Sequence, residues 1–151
     1  MKPIKINKVL IALDYDETAQ KVAEVGFAVA QAMNSETILL HVINEQPVYY
    51  SSYTYMRELS VNVLGDMKVT TQHFLDKTKK HLGDENIKTV VNEGEISEMV
   101  LKAASELKVD MIVMGSHSRK WLENILLGSV AADVLKKSTV PMFIVPTKKR
   151  L

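Results

Sequence analysis

Short unbroken apolar runs alternate along this chain with longer stretches in which apolar residues recur every three or four positions. Val9-Leu10-Ile11-Ala12-Leu13 is the first such run, closed by Asp14-Tyr15-Asp16. A run without polar alternation suits a parallel strand covered on both faces. Ala19, Val22, Ala23, Gly26, Phe27, Ala30 and Met33 then mark one face of a helix. Asp16 is its expected cap, with Glu17 in the first turn and Asn34 near the end. Ile38 to Ile43 read as the second strand. Regularity then lapses over residues 45–60, where Pro47 precedes Tyr49, Tyr50, Tyr53 and Tyr55. The segment reads either as a surface crossover whose aromatics pack on the domain, or as a loop that covers a ligand or a partner. Helical period resumes by Met67 and continues to Leu82, with Phe74, Leu75, Thr78 and Leu82 on the buried side.

The second half repeats the rhythm. Ile87 to Val91 is a short strand and Gly94 a turn; Ile96, Met99, Val100, Ala103, Ala104 and Leu107 line a helix. Asp110 to Met114 leads as a strand into Gly115, and Val130, Ala131, Val134 and Leu135 form the next helical face. The last strand falls within Val140–Val145, where Pro141 and Pro146 suit an edge position because each lacks a ladder donor. Five strands separated by helix-length segments predict a doubly wound α/β domain of three layers, α/β/α, around a parallel sheet. Right-handed crossovers favour the strand order 3-2-1-4-5, with 2-1-3-4-5 also compatible with the pattern. In the first order the winding reverses between strands one and four, and their carboxyl ends form a crevice holding Asp14 and Gly115.

Composition narrows the class further. The 151 residues fit a single domain, 1–151, and 46% hydrophobic with 25% charged residues is the balance of a globular protein. Cysteine is absent, which excludes a disulfide scaffold, thiolate metal ligation and a cysteine nucleophile. A formal charge of +1 gives no footing for nucleic-acid binding. The N-terminal apolar run is interrupted by Asp14 and Asp16 and lacks a small-residue cleavage site, so it does not read as a signal peptide. No stretch approaches the roughly 20 apolar residues of a membrane span, and the expected location is cytoplasmic.

The chemistry concentrates in residues 111–130, MIVMGSHSRKWLENILLGSV. A strand breaks at Gly115 into Ser116, His117 and Ser118, followed by Arg119 and Lys120, and Gly128-Ser129 opens a helix. Small residues, a helix N-terminus, a hydroxyl and nearby positive charge are what phosphate binding needs. The same residues also serve as ordinary turn glycines and a helix-start serine. Neither a Walker A loop nor a GxGxxG fingerprint occurs.

This segment resembles the G-x2-G-x9-G-[ST] signature of ATP-binding universal stress proteins. Gly115 matches the first glycine, Ser118 stands at the second, and Gly128 and Ser129 match the end. VLIALD, LLHV, EGEISEMVLKAASE, LLGSVAADVL and VPMFIV also match the family's wording, so the likeness spans nearly the whole chain. The resemblance implies a site for ATP, with or without Mg2+. Ala12, Leu13 and Asp14 would face the adenosine, and Val42 backbone the adenine edge. Met114 and Gly115 would flank the ribose, while Ser116, His117, Ser118, Gly128, Ser129 and Val130 would wrap the phosphates. Arg119 offers charge beside them. Ser118 is the departure: a left-handed serine costs about 1–2 kcal/mol, which weakens binding roughly tenfold, unless the position is not left-handed and the hydroxyl adds a donor.

His117 would either meet a phosphate or be held within the loop for structural reasons. Asp14 and Asp16 either approach Mg2+ through water or serve as acceptor and cap. His41, His73 and His81 do not assemble with other ligands into a metal site, and Trp121 reads as a packing anchor. No general base or nucleophile constellation can be assembled, so the chain is expected to be a regulatory protein rather than an enzyme. The leading expectation is a nucleotide-binding stress-response switch. The alternative is a nucleotide-free adaptor that works through contacts with a protein partner. The resemblance also implies a homodimer, with the edge strand at 141–145 as the contact.

Overall fold

The computed structural model describes residues 1–44, 53–117 and 127–148, with backbone alone for 53–63. Its elements run β1 (Lys8–Ala12), α1 (Ala19–Ala32), β2 (Glu36–Asn44), α2 (Tyr53–Leu82), β3 (Lys88–Gly94), α3 (Ile96–Glu106), β4 (Met111–Gly115), α4 (Ser129–Lys137) and β5 (Met142–Val145). All strand pairs are parallel, in the order β3-β2-β1-β4-β5. The favoured sequence-based topology is therefore the observed one. Successive strand residues face opposite sides. Val9, Ile11, Leu39 and Val113 pack with Val22, Phe27 and Leu75 of α1 and α2. Leu10, Ile38, Leu40 and Ile112 pack with Val100, Ala103 and Val134 of α3 and α4. Both faces are covered, which is why β1 and β4 read as unbroken apolar runs.

Three expectations are corrected. Helix α2 begins at Tyr53, well before Met67, so half of the irregular segment is helical rather than crossover. Its early residues carry too little apolar period to announce it. Asp16 does not cap α1 directly: Thr18 holds the N-cap position, and Asp16 Oδ1 accepts hydrogen bonds from the Thr18 amide and hydroxyl. Glu17 accordingly precedes the helix, whose first turn is without an acid. Asn34 does end the α1 region, in the left-handed conformation (φ 54°) that asparagine tolerates. At the opposite edge from the crevice, Asp110 Oδ2 accepts from the amides of Asn7 (2.8 Å) and Lys8 (3.0 Å), tying the starts of β1 and β4 together.

Helix α3 opens on Glu95, whose carboxylate accepts from the amides of Ser97 (3.3 Å) and Glu98 (2.8 Å). The Glu98 amide, then the Ser97 hydroxyl, hold the Glu95 carboxyl below its ordinary value of 4.5. A depressed carboxylate stabilises the fold above its unfolded-state value and loses that contribution as pH falls through the folded-state one. Glu95→Gln is therefore expected to melt below the parent at pH 7. The gap in Tm should close as thermal scans are taken progressively below pH 4.5.

Candidate functional site

Parallel strands deliver their carboxyl ends to one edge of the sheet, and the crevice opens there. The Leu13 amide donates to Leu40 O (2.8 Å), extending the β1–β2 ladder one residue and setting Asp14 at the rim. A cavity of about 110 Å³ lies on the α3/α4 side. Ala12, Leu13 and Asp14 line it from β1, Leu40 and Val42 from β2, and Met114, Gly115 and His117 from β4. Ile96 and Val100 of α3 close one wall, and Gly128, Ser129, Val130 and Ala131 at the start of α4 close the other. A second chamber of about 630 Å³ shares Asp14, Val42 and Ile96 with the first and extends past Tyr15, Asp16 and His41 to Asp66, Met67, Thr70 and Thr71 of α2.

Two helices thus start at the crevice, and they differ. The α3 N-terminus is occupied by the chain's own Glu95 carboxylate. The α4 N-terminus has Gly128 at the N-cap and no side-chain cap. The first-turn amides of Ser129, Val130 and Ala131 have no intrahelical acceptor, and with the positive end of the helix dipole they make the position suited to an anion.

The turn after β4 is arranged differently from the expectation that its amides wrap a phosphate. Ser116 N donates to Val145 O (2.9 Å), and Gly128 N donates to Ser116 O (2.7 Å). His117 N donates to Thr147 Oγ1 (3.2 Å). These three amides are committed within the protein. The Ser116 hydroxyl lies 3.1 Å from Thr147 Oγ1 and accepts from the Thr147 amide (3.1 Å), so its side chain faces the C-terminal segment and not the cavity. His117 does line the cavity, buried, with Nδ1 3.2 Å from Ser116 Oγ.

Gly115 and Gly128 are glycines for want of room. A Cβ on Gly115 would stand 2.9 Å from Thr147 Cγ2 and 3.1 Å from Val22 Cγ2; one on Gly128 would stand 3.0 Å from Ser116 O. Gly128 has an ordinary φ of −62°. Close approach of the chain to itself, not a left-handed backbone, fixes both residues. Ser118 and Arg119, with Lys120, Trp121, Pro47, Tyr49 and Tyr50, lie outside the described residues, as do the side chains of Tyr53 and Tyr55.

Residues missed by sequence reasoning complete the walls. Leu40, Ile96 and Val100 were legible only as core. His41 Nδ1 lies 2.6 Å from Leu13 O and, facing a carbonyl, carries the proton. Its ring meets Tyr15 and Phe74 edge-on, each at 6.4 Å, while Tyr15 and Phe74 stand 4.6 Å apart. A polar residue inside an apolar strand was the available signal. Among the described residues no group of three or more His, Asp or Glu is placed to hold a metal ion. Asp16 Oδ2 is shut from solvent without a hydrogen-bond partner, while Oδ1 holds the Thr18 amide and hydroxyl.

A five-stranded parallel sheet in this order, with helices on both faces and a crevice at its switch point, defines a doubly wound α/β domain. The chain belongs to the Universal stress protein family, whose sequence profile matches residues 5–146. It is 29% identical over 158 residues to universal stress protein MJ0577 of Methanocaldococcus jannaschii, an alignment covering 96% of this chain and 98% of that protein. A solved structure of MJ0577 superposes with a TM-score of 0.81 at 31% identity, covering 97% of this chain and all of that one. Two further structures share the fold. A universal stress protein in complex with cAMP has a TM-score of 0.64 at 21% identity, over 96% of this chain and 100% of that chain. An Archaeoglobus fulgidus protein in complex with dAMP has a TM-score of 0.59 at 16% identity, over 93% of this chain and 98% of that chain.

Proposed function

We propose that the crevice binds an adenine nucleotide, ATP being the favoured ligand, and that occupancy sets the association of a homodimeric stress-response regulator in the cytoplasm. The observation that carries this reading is the uncapped N-terminus of α4 opening into the cavity that Asp14 and Val42 enter from the other side. The base would lie between Val42 and the apolar walls of Ile96 and Val100, with Asp14 accepting hydrogen bonds from the nucleoside. Phosphates would meet the first-turn amides and the Ser129 hydroxyl, and His117 would stand beside them. Proteins that share the fold hold cAMP and dAMP, so the scaffold accommodates adenosine monophosphates. Mg2+, where present, would be held mainly by phosphate and water, with Asp14 the carboxylate that both chambers share among the described residues.

The reading assigns no catalytic step to the protein. Its output would be association through β5, an edge strand with Phe143 exposed, bounded by Pro141 and Pro146. Calorimetry with ATP and Mg2+, run beside sedimentation with and without nucleotide, tests both halves. Saturable heat with a shift in the monomer–dimer balance is expected. Absence of heat at millimolar ATP would remove the nucleotide reading, and a monomer at all concentrations would remove the switch.

A further inference from the structure

Thr147 lies two residues beyond β5, outside the lining of the cavity, yet it is hydrogen-bonded to both Ser116 and His117 of the turn after β4. Its hydroxyl accepts from the His117 amide (3.2 Å) and donates to His117 O (3.0 Å). Its amide donates to Ser116 Oγ (3.1 Å), and the two hydroxyl oxygens are 3.1 Å apart. Its methyl group packs over Gly115, at the spot a Cβ there would need. Ser116 in turn accepts the Gly128 amide at 2.7 Å through its carbonyl, and Gly128 is the N-cap of α4. One hydroxyl thus orders the turn that presents His117, and through Ser116 it fixes the start of the helix whose first turn faces the ligand. The backbone before it is also held, since Lys21 Nζ donates to Pro146 O.

We infer that Thr147 is a positioning residue for the nucleotide-binding turn, acting through Ser116, His117 and Gly128. The inference rests on the nucleotide reading of the crevice. It adds that the segment following the edge strand and the ligand site are one hydrogen-bonded unit, so a displacement of either is felt by the other.

The test compares the full-length parent with Thr147→Val, which keeps the shape and removes the hydroxyl, and Thr147→Ser, which keeps the hydroxyl. Two readouts are taken: the Kd for ATP by calorimetry, and hydrogen exchange at the Gly128 amide without nucleotide. Thr147→Val should raise Kd about tenfold, the scale of one lost hydrogen bond. It should also speed Gly128 exchange about tenfold, while Thr147→Ser recovers both to within about threefold. A purely structural role would lower Tm without moving the Kd of the folded protein. Unchanged Kd in Thr147→Val, or an equal loss in Thr147→Ser, overturns the inference. If the parent itself gives no heat with ATP, the nucleotide reading falls alone. Exchange at Gly128 then decides: acceleration in Thr147→Val upholds the positioning role, and parent-like exchange ends it.

Discussion

Gly115→Val is expected to lose ATP affinity by at least about a hundredfold and stability by about 1–3 kcal/mol. The first methyl alone would enter the space of Thr147 Cγ2 at 2.9 Å and Val22 Cγ2 at 3.1 Å. Both neighbours are β-branched and stiff about χ1, so neither swings aside at low cost. The backbone must move instead, and it is the backbone that presents His117 and accepts Gly128. Gly115→Ala should show the same two effects at smaller size. Calorimetry and thermal unfolding on one preparation separate them, because a folded but non-binding protein locates the damage in the site. Parent-like affinity in Gly115→Val would mean that this turn does not shape the ligand cavity.

Leu40→Ala is expected to give the larger loss of stability, about 2–5 kcal/mol. Leu40 is fully buried, pairs with Ala12 in the β1–β2 ladder, and belongs to the α3/α4-side core while also lining the cavity. Its removal leaves a void that the neighbouring strand backbone cannot collapse to fill. In a domain of this size the midpoint of melting should fall on the order of 10 °C. A urea titration should show a lower midpoint at unchanged slope, the mark of altered stability rather than altered compactness. The cavity that Leu40 lines is enlarged beside the proposed base position, so ATP affinity should fall as well, by less than in Gly115→Val.

Which parts were legible follows from how far apart the interacting residues lie. The strands and α1 announced themselves because each is a local pattern: Val9–Leu13 is apolar throughout since helices cover both faces, and Val22, Ala23, Phe27 and Ala30 keep a helical face. The switch point followed from strand order alone. Helix α2 did not announce its start, because its mean hydropathy is low and its first turn carries no acid. Thr147 stands between Pro146 and the basic run Lys148-Lys149-Arg150 and belongs to no motif. Nothing near it in sequence points to Ser116, 31 residues away, and only the β4–β5 pairing of Gly115 with Val145 brings the two together. The glycines at 115 and 128 were read as turn residues that let a phosphate approach, whereas the structure shows both crowded by distant atoms, which leave no local signature.

The central place of β1 has a consequence for synthesis. It precedes the other four strands of the sheet in the chain, and 103 residues separate Asn7 from Asp110, its hydrogen-bond partner at the start of β4. Until Met111–Gly115 has left the ribosome, the middle of the future sheet is a bare edge with one neighbour at most. Parallel pairing of such distant segments is slow. The newborn polypeptide is therefore most exposed to sticking to its own copies during translation, and least once the fourth strand has closed over the first.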